Sequence, residues 1–399
     1  MINLELPKKF RAILNPAQQA AQHVFRPISR KYDRAEHAYP KELDSFVAAM
    51  EGMNSGDAAN AAGAGTVKQQ AKSEGISNGS NMRTVLGAEW LCWGDVGLLL
   101  TLPRNGLGNA ALAAVANDEQ LQRFNGKWAA MAITEPHCGS DSAAIKATAR
   151  PDGDDYILNG EKIFITAGER ADLIVVWASV DPSAGRAAIK SFVVEWGTPG
   201  MELIRLDHKL GIRASDTAHV VFKDCRVPKE NLLGSAEVNT EKGFGGVMQT
   251  FDNTRPLVAA MALGVARAAL ERTRELLAEV ESDYRSPVMN VSAAAAELYR
   301  MEAELEAARL LTIKSAWMAD NRMPNTKEAS MAKAKAGRVG NAITLRCVTL
   351  AGSLGYSEDE LLEKWARDSK ILDIFEGTQQ IQQLVVARRV LELSSSELK

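Results

Sequence analysis

The run Asp155-Tyr-Ile-Leu-Asn-Gly-Glu-Lys-Ile-Phe-Ile-Thr166 carries two apolar stretches separated by an Asn-Gly pair. Asn-Gly supplies two positive-φ residues, so the run predicts a tight β-hairpin turning at Asn159-Gly160. Further period-two runs follow at Leu173–Trp177, Ser191–Val194, Leu203–Leu206 and Ala218–Phe222, punctuated by Gly, Pro and Asp. That spacing is expected of an all-β unit reaching from Trp128 to about Leu233. On either side of it the apolar period is helical. Upstream, Pro40–Met53 and Asn105–Phe124 read as helices; between them Asn54–Asn81, rich in Gly, Ser, Asn and Ala, has little to bury and reads as an extended loop. Downstream of Gly243, Val258–Val280, Ala293–Asn321, Lys327–Gly352, Asp359–Ile374 and Gln379–Glu392 read as helices. Ala-rich helices with short connections predict an antiparallel bundle. The expected architecture is mainly α with a β domain: an N-terminal helical domain at 1–128, a middle β domain at 129–236 and a C-terminal helical bundle at 237–399.

Composition narrows the function classes. With 399 residues, 46% hydrophobic and 24% charged, the chain is globular and long enough for several domains. Lys plus Arg number 47 against 50 Asp plus Glu, and the net charge of -3 gives no electrostatic footprint for nucleic acid or an anionic membrane. Cys92, Cys138, Cys225 and Cys347 are far apart with no C-x-x-C, so neither a zinc site nor a disulfide framework is indicated, and no metal is expected. The most apolar stretch, Leu86–Pro103, is broken by Glu89 and Asp95, and Met1–Pro16 has charges but no apolar run behind them. No membrane span and no secretory signal are therefore expected, and the protein is expected to be cytoplasmic.

Four short clusters carry chemistry. Ala132-Ile-Thr-Glu-Pro-His-Cys-Gly-Ser-Asp141 places hydroxyls around a Pro and a Gly, which shape the backbone so that N–H groups can face a bound cofactor. Phe164-Ile-Thr166 closes the second apolar stretch of the opening run. Phe251-Asp-Asn-Thr-Arg-Pro256 is expected to open the first bundle helix, with Pro256 in its first turn and Asn253 or Thr254 as its cap. Arg255 there is either a surface charge or, through its planar fork, a phosphate ligand. In Ile374-Phe-Glu-Gly-Thr-Gln-Gln380 an acid sits between Phe375 and Gly377 at a break between helices, in a largely apolar setting.

In this order and at these separations the pieces T-E-P-x-x-G-S-D, N-G-x-K-x-x-I-T, D-x-T-R-P and E-G-T-x-x-I-Q resemble the flavin-dependent acyl-CoA dehydrogenases, from about residue 80 to the C-terminus. Ser215-Asp216-Thr217 and Phe222-x-Asp224-x-x-Val227-Pro228 extend the likeness. The resemblance implies an FAD enzyme of that fold, with a β-barrel-like middle domain and a four-helix bundle, acting on an acyl-CoA and passing electrons to an electron-transfer flavoprotein. Glu376 would be the base that takes the proton α to the thioester while flavin N5 takes the β hydride, leaving a trans-2-enoyl-CoA. Backbone N–H of the base and a flavin hydroxyl would stabilise the developing enolate. Met131, Ile133, Thr134, Gly139, Ser140, Phe164, Ile165, Thr166, Thr378 and Gln380 would contact the cofactor. Ser140, Asp252, Asn253, Thr254, Arg255 and Gly377 would contact the substrate.

The departures from that family are as informative. Its R-x-x-F-G segment, which holds the ADP half of FAD in the neighbouring subunit, is replaced by Val280-Glu-Ser-Asp-Tyr-Arg-Ser-Pro-Val288, and its Q-x-x-G-G segment by Thr349-Leu-Ala-Gly-Ser353. The resemblance then implies either a hetero-oligomer, in which a second acyl-CoA dehydrogenase-like subunit supplies those contacts, or a homo-oligomer holding the ADP through other residues such as Arg285. The P-x-E-Y-G-G segment also has no counterpart, so the acyl chain length is not readable. Two rival functions remain: an acyl-CoA oxidase, which is commonly longer, and a non-catalytic scaffolding subunit, which would have no need of Glu376, Thr134 or Thr166.

Overall fold

The computed structural model describes residues 10–53, 77, 79–103, 107–238, 245–280, 292–394 and 397–398. Asn54–Asn81 and Val280–Val288 fall almost entirely outside them. The chain opens with α1 (Arg11–Ala20), which passes through a π-helical turn into α2 (Arg26–Arg34), followed by α3 (Glu42–Met53), α4 (Ser80–Gly94), α5 (Val96–Leu99), α6 (Leu107–Val115) and α7 (Asp118–Arg123). The expected helix over Asn105–Phe124 is thus two helices. Asn117 interrupts it, accepting from Gln120 N at 2.8 Å while the Gln120 side chain accepts from Asn117 N at 3.1 Å, a reciprocal cap that starts α7.

Seven strands follow: β1 (Ala129–Ala132), β2 (Thr148–Asp152), β3 (Asp155–Thr166), β4 (Leu173–Ser179), β5 (Ile189–Glu195), β6 (Met201–Leu206) and β7 (Thr217–Pro228). They form one curled sheet in the order β1-β4-β2-β3-β7-β6, with β5 also on β4. The expected hairpin at Asn159-Gly160 is not there: β3 runs straight through the pair. The turn lies earlier, at Gly153 (φ 63°), where Asp152 pairs with Asp155. Asn159-Gly160 instead sits at a register shift against β7, where Asn159 Oδ1 accepts from Asp224 N at 2.9 Å. Gly160 is needed there for room, since a Cβ would lie 2.6 Å from that of Ala147. Asp152-Gly153 carries a hairpin signal of the same kind, and β3 stays extended because it has partners on both sides, β2 and β7.

The C-terminal bundle comprises α8 (Gly245–Val280), α9 (Ala293–Asp320), α10 (Thr326–Leu350), the single turn α11 (Ser353–Tyr356), α12 (Leu362–Ser369) with a 3₁₀ turn Lys370–Asp373, and α13 (Gln379–Leu391). The start of α8 also differs from expectation. Pro256 lies inside a 36-residue helix rather than in its first turn, so neither Asn253 nor Thr254 is its cap. One interior proline costs about 3 kcal/mol, which a long helix packed on α4, α9 and α10 tolerates.

Apolar packing groups the helices differently from the chain order. Phe25, Leu86 and Leu98 of the N-terminal segment share one core with Ala266, Leu298 and Trp365 of the bundle, whereas Leu158, Ile174, Phe192 and Val220 form the core of the sheet. Small residues let the helices of the first core approach: a Cβ on Gly264 of α8 would lie 2.2 Å from the carbonyl oxygen of Glu89 in α4. The helical and β parts are joined by buried polar links. Lys364 Nζ donates to Asp95 at 2.7 Å and to Asp368, and Asp368 in turn accepts the backbone N–H of Ile212 in the loop before β7. Among the described residues no helix is long and apolar enough to cross a membrane.

Candidate active site

The chain between the 3₁₀ turn and α13 reverses on two consecutive left-handed residues, Glu376 (φ 58°) and Gly377 (φ 89°). A left-handed conformation at a glutamate is strained and persists only where the surroundings impose it. Here Gln382 Nε2 donates to the carbonyl oxygens of Glu376 and Gly377 at 2.9 and 3.1 Å, and Lys333 Nζ of α10 donates to Gly377 O at 2.7 Å. Thr378 then caps α13, its side chain accepting from Ile381 N. Gly377 is the one position of this turn where a side chain has no room, since a Cβ would lie 2.4 Å from Gln382 Nε2. We expect Gly377→Ala to lose about 2–3 kcal/mol through φ strain and the displaced Gln382, read as a lowered urea midpoint.

The turn aims Glu376 at the first third of α8, where Thr254 Oγ1 donates to Glu376 Oε2 at 3.0 Å. Burial pushes the Glu376 carboxyl up from the ordinary range, while Thr254, Arg255 and Lys333 pull it back. Burial likewise lowers the Lys333 ammonium to about 8, opposed by Asp373 and Glu376. The setting expected to be largely apolar is therefore a hydroxyl and two cations around one acid. Gln382 closes the E-G-T-x-x-I-Q motif but was given no role from the sequence, and Lys333 was not singled out at all; an isolated Lys in an Ala-rich helix carries no local signal of what it faces.

Arg255 is buried, 3% exposed, with Nη1 3.5 Å from Ser330 Oγ on α10. The surface-charge reading is thus overturned. Asp252 and Asn253 also lie on α8, but their side chains are outside the described residues.

A second cluster forms on the sheet. Ile163 N of β3 donates to Thr134 O at 2.9 Å, which sets the end of β1 beside Phe164. Phe164 takes a left-handed φ of 58° at a second register shift against β7, and the residue is 63% exposed. Ile165 points the other way, into the sheet core, and Thr166 is half-buried. Met131, Ile133 and Thr134 are half-buried, and Gly139, Ser140 and Gln380 are exposed. The loop after Thr134 is anchored by a buried pair of motif residues to which the sequence reading gave no role: Glu135 accepts from Lys162 Nζ at 2.6 Å and from the N–H groups of Lys146 and Ala147 at 2.7 and 3.0 Å, while Lys162 also reaches Ile133 O at 3.1 Å.

Family models match both halves of this arrangement: "Acyl-CoA dehydrogenase, middle domain" over residues 130–225 and "Acyl-CoA dehydrogenase, C-terminal domain" over 241–391. The chain belongs to the acyl-CoA dehydrogenase family. It is 34% identical over 400 residues to the short-chain specific acyl-CoA dehydrogenase of Bos taurus mitochondria, a match covering 98% of this chain and 92% of that protein. It is 35% identical over 329 residues to subunit CarC of the caffeyl-CoA reductase-Etf complex of Acetobacterium woodii, covering 80% of this chain and 85% of that one. Butyryl-CoA dehydrogenase of Megasphaera elsdenii superposes with a TM-score of 0.82 at 29% identity, covering 98% of this chain and all 100% of that one. As an acyl-CoA dehydrogenase-type protein the chain is a flavoprotein oxidoreductase with FAD as its cofactor. In this acyl-CoA dehydrogenase fold one cluster is built from α8, α10 and the turn before α13, the other from β1, the loop after it and β3.

Proposed function

We propose that the chain dehydrogenates an acyl-CoA thioester between Cα and Cβ to the trans-2-enoyl-CoA, with Glu376 taking the α proton. The observation behind this reading is the Glu376 carboxylate, oriented by Thr254 on a strained turn and made more basic by burial. A carboxylate near its reference value of about 4.3 is a poor base toward carbon, and burial reduces that mismatch. Arg255 and Lys333 work against burial and favour the ionised carboxylate, the form that can take a proton. The residues on β1 and β3 suit a flat cofactor: a largely exposed aromatic residue stands beside Thr134 and Thr166. Met131, Ile133, Thr134, Gly139, Ser140, Phe164, Thr166, Thr378 and Gln380 would hold the flavin, and Ile165 would reach it only through its backbone. When bound, FAD supplies the acceptor for the β hydride. Ser140, Asp252, Asn253, Thr254, Arg255 and Gly377 remain the proposed substrate contacts, with Thr254 also orienting Glu376 and the buried Arg255 also acting on it through charge.

The test is anaerobic mixing with acyl-CoA esters of graded length. Bleaching of the flavin absorbance followed by reoxidation with an electron-transfer flavoprotein, the partner that the Acetobacterium woodii relative's complex suggests, is the expected result. Reoxidation by oxygen alone would make the chain an oxidase. No bleaching with any ester, alone or with a partner, would make it a scaffold.

Lys333 gives this reading a pH signature. Its ammonium lowers the Glu376 carboxyl, so Lys333→Met is expected to move the acid limb of flavin reduction to higher pH. The deficit should be largest below pH 8 and shrink above it, where the wild-type ammonium is itself lost. Rapid-mixing rates from pH 6 to 10 check the sign.

We further propose that a second acyl-CoA dehydrogenase-like subunit completes the FAD site. Thr349, Gly352 and Ser353, which replace the ADP-holding residues of the family, lie exposed at the end of α10 and in α11, where a neighbouring subunit could reach. Purified alone, the chain is expected to carry well under one FAD per polypeptide; full occupancy and activity without a partner would mean a homo-oligomer.

A further inference from the structure

Away from Glu376, the loop between α2 and α3 meets the loop between β6 and β7, and three ligating side chains converge there. One carboxylate oxygen of Glu36 and one nitrogen each of His37 and His208 all lie within 4.8 Å of one another. Glu36 Oε2 is 2.7 Å from His208 Nδ1, and Glu36 Oε1 accepts from Lys209 N at 2.8 Å. The two imidazole rings are 5.3 Å apart, tilted by 48°.

His37 is the anomaly. Both of its ring nitrogens are buried with no hydrogen-bond partner among the described residues, although a neutral imidazole has a donor and an acceptor to satisfy. Its backbone is also left-handed (φ 67°), and the residue is clamped there by His37 N donating to Arg213 O at 3.2 Å and Arg170 Nη2 donating to His37 O at 2.9 Å. A strained backbone thus presents a ring with no hydrogen-bond partner among the described residues to another His and a Glu, an arrangement that suits a bound ligand.

We propose that Glu36, His37 and His208 form a binding site for a divalent transition metal of the zinc class, with the remaining coordination positions taken by water. Two imidazoles and a carboxylate are the donor set such ions take, and calcium or magnesium would ask for oxygens instead. The metal would replace the proton shared by His208 and Glu36 and give His37 its missing partner. Each neighbouring cation has an oxygen partner of its own: Lys209 Nζ is turned to Ser215 O at 2.7 Å, and Arg170 faces Asp216 at 3.4 Å. The contraction needed to reach bonding distance falls on His208, whose side chain is 84% exposed. The other group of ligating side chains, Glu135, His137 and Cys138, is a poorer candidate, because Glu135 is taken up by Lys162 and two backbone N–H groups.

The site would fasten the N-terminal helices to the β domain beside the loop that Asp368 already holds. The test is calorimetric titration of the chelator-treated full chain with ZnCl₂, repeated with CoCl₂ to read the visible spectrum of the bound ion. Wild type is expected to bind one equivalent with a raised melting temperature, and His208→Ala and Glu36→Gln to bind at least tenfold more weakly. His37→Gly removes the ligand and relieves the left-handed strain at once, so it should fold at least as stably as the metal-free wild type yet lose the binding. No stoichiometric binding by wild type, or binding unchanged in all three variants, would overturn the proposal.

Discussion

Glu376→Gln is expected to slow flavin reduction by an acyl-CoA about 10³–10⁴-fold while leaving fold and flavin content unchanged. The glutamine amide keeps the shape of the carboxylate and can still accept from Thr254 Oγ1, so the contact that orients the side chain survives. The strain at φ 58° is the same for either residue, and the Gln382 and Lys333 bonds that impose it go to backbone oxygens. What is lost is the negative charge and the ability to take a proton. A side effect follows from the same geometry: with no carboxylate beside it, Lys333 loses one of the two charges that hold its ammonium up, so its pKa falls below about 8. Single-turnover reduction under nitrogen measures the first effect, and reduction at the wild-type rate would remove Glu376 from the role of base.

Lys364→Met is expected to destabilise the protein by about 3–5 kcal/mol, the usual consequence of removing one partner of a buried charge cluster. Lys364, Asp95 and Asp368 are all fully buried or nearly so, and they tie α12 to the start of α5 and to the loop at Ile212. Ser29 of α2 also bonds to Asp95, which brings a fourth element to the same point. Without the ammonium, two acids share one buried site and at least one must take a proton. A carboxyl whose pKa is raised in the folded state holds more protons there than in the unfolded chain, so stability falls as pH rises. The variant should therefore lose more at pH 8 than at pH 5, as measured by urea midpoints. If charge is the cause, Lys364→Met combined with Asp95→Asn and Asp368→Asn recovers much of the loss; if packing is the cause, it does not. Because α12 leads directly into the turn that carries Glu376, the single variant is also expected to lower activity before it unfolds.

The order of helices, strands and bundle was legible in the sequence because each rests on a local period, as did the E-G-T and T-E-P segments that carry the family. Other features were not local. Asn159-Gly160 has the chemistry of a turn, but β2 and β7 on either side of β3 keep it extended and reduce the pair to a bulge. Pro256 has the chemistry of a helix start, but packing on α4, α9 and α10 carries the helix through it. Identity of the acid at 376 was determined by sequence alone. Its environment was decided only by tertiary structure, which brings Thr254, Arg255 and Lys333 from residues 43 to 122 positions away to one carboxylate. The same holds for the cluster at Glu36, His37 and His208, whose members are adjacent or 171 to 172 positions apart in the chain. Charge and hydrogen bonding act over a few ångströms of space, and no pattern along the chain records which residues folding will bring within that reach.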